Sequence, residues 1–231
     1  QFRRPVGAAD AGGTKGEGIA GTPRFVYDEQ LNATVDRGVE GYRFGDFNYG
    51  APGNGGGGGG QHNAGGGGGG NGGAGGRGGN EFNGNDPNLL GAVKGGYGGD
   101  DFSSSEAATY AGSGLTGRVV LGGGGGAGDY NDSVANGQWS SGGAGGGIVL
   151  IRAGSISGSG SINADGRNGR NSDPAVSADA GGGGGAGGSV VLYVENGSLP
   201  AGISVLARGG RGGDNVVSLS NNETDGPGGG G

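Results

Sequence analysis

Apolar side chains occur in short runs along this chain, and glycine fills the space between them. Ile148-Val149-Leu150-Ile151 and Val190-Val191-Leu192-Tyr193 are continuous four-residue runs, the pattern of a strand covered on both faces. "SISGSGSI" (Ser155–Ile162) alternates small and apolar residues, as the rungs of a repeat stack do. Near the start, Phe25-Val26-Tyr27 followed by Leu31 and Val35 predicts a short hairpin or edge strands. The glycine spacing across Arg24–Phe44 argues against a long helix.

The apolar runs repeat. Gly145–Gly169 ("GGGIVLIRAGSISGSGSINADGRNG") is echoed by Ala186–Gly213 ("AGGSVVLYVENGSLPAGISVLARGGRGG"). Matching the runs by hydrophobicity aligns Ile148 with Val190, an offset of 42, and Ile162 with Val205, an offset of 43. Each unit reads as a glycine run, an apolar strand, a turn and an alternating strand. The expected organisation is an N-terminal strand and loop segment (1–50) and a glycine-rich body (51–231) in one compact unit.

Glycine itself is patterned. Asn71–Asn80 contains Gly72-Gly73-Ala74, Gly75-Gly76-Arg77 and Gly78-Gly79-Asn80, and the same triplet phase returns at Gly95–Asp100 and Gly209–Asp214. A period of three is that of the extended polyproline-II helix, which has no internal hydrogen bonds. Two glycines per triplet let such segments approach and bond to one another, and every buried N–H and C=O needs a partner. A flexible linker, or glycine-rich loops on another β fold, are the competing readings. A linker gives no reason for Ala, Arg and Tyr to stay in phase. The expected fold class is all-β: repeated strands, solenoid- or sandwich-like, packed with a bundle of extended polyglycine-II helices and very little α-helix.

Composition narrows this further. Of 231 residues 73 are Gly and only 7 Pro, too little Pro for collagen and without its unbroken period. The absence of Cys excludes a disulfide framework and thiolate metal sites. The absence of Met suits a mature or excised piece of a longer protein, and no stretch approaches a membrane span. A net charge of −7 disfavours nucleic acid as a partner.

Candidate chemistry is sparse. His62 is the only histidine, too few for a histidine-rich metal site, and no G-x-S-x-G nucleophile elbow occurs. The calcium-binding nonapeptide G-G-x-G-x-D-x-U-x fits Gly95–Ser103 and Gly209–Val217, placing Asp100 and Asp214 as candidate ligands, with Asp165 in "DGRNGRNSD" a third. The copies are separated rather than tandem, so an Asp or Asn turn ending a glycine strand explains them equally well. Tyr130 and Trp139, in the polar insert Gly128–Gly143, and Phe44, Phe47 and Tyr49, in "YRFGDFNYG", are candidate recognition aromatics. Trp139 also suits a cap over the strand layer.

Taken in order, "GGTKGEGIAGTPRFVY", "GAPGNGGGGGGQHNAGGGGGGNGGAGGRGG", "GGAGGGIVLIRAGSISGSGSINADG" and the terminal "GPGGGG" resemble glycine-rich modules of large Bacteroidetes surface proteins exported by type IX secretion. The resemblance spans nearly the whole chain and carries no catalytic motif. It implies a non-enzymatic structural or adhesive module on the bacterial cell surface, without a cofactor unless calcium binds. It also implies partners among other domains of the same protein, neighbouring copies, or cell-surface glycans and proteins. "DSV" (Asp132–Val134) is similar to the O-glycosylation sequon of those bacteria and makes Ser133 a glycan candidate. The triplets also resemble, in architecture only, those of phage tail-tip adhesins and a springtail antifreeze protein, both bundles of polyglycine helices. A receptor- or glycan-binding tip and an ice-binding protein are the alternative functions. The few Thr residues form no ladder of the kind an ice-binding face needs.

Overall fold

The apolar runs become strands that pair across the repeat. The computed structural model describes residue 16, the backbone of 25–28 and 33–36, and residues 54–59, 63–80, 95–101, 119–129, 139–172, 179–215, 226 and 228–231. Its strands are β1 (Phe25–Asp28), β2 (Ala33–Asp36), β3 (Ile148–Ala153), β4 (Gly160–Asn163), β5 (Ser189–Val194) and β6 (Ile203–Leu206). No helix occurs among the described residues, so this part of the chain is non-helical and leans towards β structure. β1 and β2 pair antiparallel, with Phe25 opposite Asp36 and Val26 opposite Val35.

β3 pairs with β5 and β4 with β6, both in parallel. Val149 lies opposite Val190, an offset of 41, whereas Ile162 lies opposite Val205, an offset of 43. The connection 154–159 joins β3 to β4, and the connection 195–202, two residues longer, joins β5 to β6. Matching by hydrophobicity at 42 therefore misses the strand register by one residue. A slip of one exchanges the two faces of a strand. In the observed register Ile148, Leu150 and Arg152 share a face with Ser189, Val191 and Tyr193. Along β3 exposed and half-buried residues alternate, and Leu150 is 67% exposed. The expectation of strands covered on both faces does not hold, because the core lies elsewhere. The buried apolar side chains among the described residues are all alanines: Ala64, Ala127, Ala164, Ala180 and Ala186.

The interior is made of glycine backbone. Segment 181–187 is bonded to six neighbours, and its three-residue period explains how. Gly181 and Gly184 donate to Gly226 and Gly229, Gly182 and Gly185 to Arg170 and Arg167, and Gly183 and Ala186 to Gly126 and Gly123. The carbonyls of the same three pairs accept from three further segments: Gly66 and Gly69, Gly213 and Gly210, Gly143 and Gly146. Each phase of the triplet thus serves one neighbour as donor and another as acceptor. Segment 63–70 repeats the arrangement, donating to 181–184, 76–79 and 54–57 and accepting from residues 229, 96–99 and 123–126. These bonds are short, for example 2.8 Å from Gly68 to Gly76 and 2.9 Å from Gly67 to Gly57. Buried peptide groups find their partners here without an α-helix or a sheet ladder.

Such contact distances admit no Cβ. One added at Gly183 lies 2.0 Å from the Gly67 carbonyl oxygen, and one at Gly67 lies 2.1 Å from that of Tyr97. Residues 65–70 and 181–187 are buried throughout. The rim segments keep one larger residue per triplet and turn it outwards: Ala74, Arg77 and Asn80; Tyr97 and Asp100; Arg208, Arg211 and Asp214 are all exposed. Among the described residues the largest fully buried side chains are polar and sit where segments begin or end. Asn54 donates its amide to the Leu121 carbonyl, and the Asp129 carboxylate accepts the N–H of Asn63, whose φ of 64° turns the chain into segment 63–70.

This packing sets a sharp contrast between glycines. Gly183→Ala is expected to cost about 3 kcal/mol or more, because rigid backbone rather than a movable side chain opposes the methyl group. Gly73→Ala, with nothing within 4 Å of the added carbon, is expected to change stability by about 0.5 kcal/mol or less. Denaturant midpoints of the two variants check this, and equal losses would contradict the packing.

Candidate functional site

The two repeat units lie side by side beyond the strands, and a period-three row of side chains stitches them together. In the first unit Asp165, Asn168 and Asn171 occupy every third position. Their Oδ1 atoms accept the backbone N–H of Arg208, Arg211 and Asp214 at 2.7, 2.9 and 2.9 Å. In return the N–H groups of Gly166, Gly169 and Ser172 donate to the carbonyls of Arg208, Arg211 and Asp214. An extended three-fold segment leaves every third amide pointing at its neighbour, and a short carboxylate or carboxamide reaches it. At the first rung Asn163 Oδ1 accepts the N–H of Asp165, 2.7 Å away.

The Arg208 side chain closes on Asp165 as well, with Nη2 at 2.8 Å and Nε at 3.2 Å from Oδ2. These side-chain hydrogen bonds, together with the backbone N–H of Arg208, hold the Asp165 carboxyl below its ordinary value. The same pairing raises Arg208. Both groups meet water, so the pair contributes little to stability and chiefly fixes geometry.

The outer face of β3 and β5 carries the second cluster. Arg152 stands opposite Tyr193 in the register, its guanidinium 5.4 Å from the ring centroid, and bonds Glu195 at 3.1 Å. Ile148, Leu150 and Tyr193 are exposed on this face, Tyr193 to 57%. The hydroxyl of Ser189 donates to the Val120 carbonyl at 2.8 Å, which brings the exposed Val119 and Leu121 to the same end of the sheet. On the glycine layer Arg77 lies 4.5 Å from the Tyr97 ring centroid. Cations this close to an aromatic face are attracted to it, more strongly where water is excluded.

The candidate residues from the sequence fall in different places. Trp139 is half-buried and immediately precedes Ser140, which turns at a φ of 59° and donates its hydroxyl to the Ala180 carbonyl. Asp100 is exposed, Asp165 is engaged by Arg208, and the amide of Asp214 is held by Asn171. Asp165 and Asp214 sit two triplets apart on the ladder, about 19 Å at an extended rise of 3.1 Å per residue, and do not meet. Among the described residues no three His, Cys, Asp or Glu gather to hold a metal ion. Phe44, Phe47, Tyr49, His62, Tyr130 and Ser133 lie outside the described residues. Sequence reasoning missed Asn168, Asn171, Arg208 and the Arg152–Tyr193 pair. The signal for the first two was present in "DGRNGRN", where an acceptor recurs at every third position.

A carboxyl whose folded-state pKa is depressed contributes stability above its unfolded value and loses it as pH falls through the folded one. The Asp165 carboxyl is therefore expected to titrate below 3.8 in carbon-detected NMR, and Arg208→Gln to bring it back towards that value. The small stability gap between wild type and Arg208→Gln is expected to close as pH falls through the depressed midpoint. An Asp165 midpoint at or above 3.8 would remove the pair from the solution structure. Comparison of the chain with protein-family models, with curated proteins and with solved structures finds no match.

Proposed function

We propose that this chain is a non-enzymatic structural and adhesive module of a larger protein on the outside of a bacterial cell, of the kind its glycine blocks resemble. In this reading the extended segments are polyglycine-II helices and the paired units are two rungs of a short solenoid. The observation that carries the proposal is the outward row of Ile148, Leu150 and Tyr193 on a body whose interior is built without them. A fold that organises itself through backbone bonds leaves its large apolar side chains available to others, and contiguous exposed apolar groups mark interaction surfaces. A phenol ring beside an arginine suits sugar rings and protein surfaces alike. That favours cell-surface glycans or proteins as partners, and a receptor- or glycan-binding tip as the second reading.

The test compares wild type with Leu150→Ser/Tyr193→Ala for binding to arrayed glycans and to bacterial and host cell surfaces. Loss of roughly ten-fold in bound fraction, with the melting temperature unchanged, is the expected outcome. Undiminished binding by the folded double variant would remove this face from any adhesive role.

A further inference from the structure

The ladder that joins the two units also builds a cationic face. Segment 165–172 advances at three residues per turn. A Cβ at Gly166 or Gly169 would meet the carbonyl of Gly185 or Gly182, so that phase faces the interior. The other two phases face away from it: exposed Arg167 with half-buried Arg170, and Asn168 with Asn171, both exposed. In the neighbouring segment the phase of Gly209 and Gly212 meets Gly231 and Gly228, and that of Gly210 and Gly213 meets the carbonyls of Arg167 and Arg170. Arg208, Arg211 and Asp214 are left to face outwards, and all three are exposed. Four of the six arginines among the described residues thus share one outer surface with two carboxylates, in a chain whose net charge is −7. The ladder also fixes what this surface offers. Asn168 and Asn171 commit their Oδ1 atoms to the amides of Arg211 and Asp214, which turns both Nδ2 groups away from the joint, without a partner among the described residues. A carboxamide has one acceptor end and one donor end, so the outward end donates. The Asp165 oxygens are both taken by Arg208.

We propose that this face, centred on Arg211, Asn168 and Asn171 and flanked by Arg167 and Arg170, binds an acidic polysaccharide that carries a carboxylate or sulfate on alternate sugars. A guanidinium fork matches such planar or tetrahedral oxyanions with paired N–H donors. The outward Nδ2 groups donate to the hydroxyl and ring oxygens between them. Positions three residues apart on an extended segment lie about 9 Å apart, and a chain with one acidic sugar in two repeats its charge at a similar interval. One polymer laid along the ladder therefore meets successive rungs in the same way, and its weak contacts add through effective concentration. The negative charge of the whole chain does not override this, because exposed charges beyond about 8 Å are largely screened at physiological ionic strength. Charge alone would also suit a nucleic acid. Single strands, however, are held by aromatic platforms under their bases, and none of these outward positions is aromatic. The inference stands independently of the adhesive reading, since it concerns the ladder and not the outer face of β3 and β5.

The test keeps the ladder and reverses its outward sign in the full chain. Asn168→Asp/Asn171→Asp retains an acceptor for the amides of Arg211 and Asp214, as Asp165 already provides for Arg208, and replaces both outward donors by carboxylate oxygens. Calorimetric titration uses hyaluronan, which has glucuronate on alternate sugars, and uncharged dextran. Wild type is expected to bind hyaluronan in low salt, about ten-fold or more weakly in high salt, and to bind dextran far less. The double Asp variant is expected to lose about ten-fold or more in affinity with its melting temperature unchanged. Should that variant unfold, Arg167→Gln/Arg211→Gln carries the same expectation, because its changes lie on exposed side chains. Absence of hyaluronan binding by wild type overturns the proposal, as does undiminished binding by either variant when folded. Equal affinity for dextran, or tighter binding of single-stranded oligothymidine, overturns it too. Leu150→Ser/Tyr193→Ala is expected to bind hyaluronan as wild type does, and a loss confined to that variant would move the polymer to the face of β3 and β5 and away from the ladder.

Discussion

Everything in this molecule follows from peptide groups packed so closely that a methyl group does not fit between them. In segments 63–70 and 181–187 each residue of a triplet aims its N–H at one neighbour and its C=O at another. Six neighbours are the natural result of three phases with two polar groups each. The interior then needs no oil. Its apolar contribution among the described residues comes from five alanines, and its order comes from hydrogen bonds whose loss would strand buried amides.

That constraint explains which features could be read from the residues alone. The period of three and its phase are visible in "NGGAGGRGGN", and the exposed rim positions Ala74, Arg77 and Asn80 are the third residues of those triplets. Uninterrupted runs such as Gly181–Gly185 mark segments surrounded by others, since any side chain there meets backbone. The β1–β2 hairpin was legible from its apolar residues. Which segment neighbours which was not legible, because glycine presents the same surface everywhere and distinguishes no partner from another.

The strand register was hidden for a different reason. Val149 pairs with Val190 although Ile162 pairs with Val205, and the two-residue difference is absorbed in the loop between β5 and β6. Hydrophobic matching has no way to see where a loop gains length. The assumption that β-branched runs must be covered also failed at Leu150, since burial in this fold is assigned to glycine first. The same displacement accounts for the candidate site. Arg152, Tyr193 and Arg208 are ordinary residues in composition, and they acquire meaning only because the parallel register sets Arg152 beside Tyr193 and Arg208 beside Asp165.

A side-chain-poor interior also alters how the fold responds to heat and cold. Unfolding an oily core exposes hydrocarbon and raises the heat capacity, whereas exposing peptide groups lowers it. Here the buried surface is dominated by peptide groups. The heat-capacity increment per residue is accordingly smaller than in a conventional domain, and the curve of stability against temperature is broad and shallow. Cold weakens oil-driven folds because the hydrophobic driving force fades. The backbone lattice of 63–70 and 181–187 rests far less on that force, so its rigidity extends to low temperature.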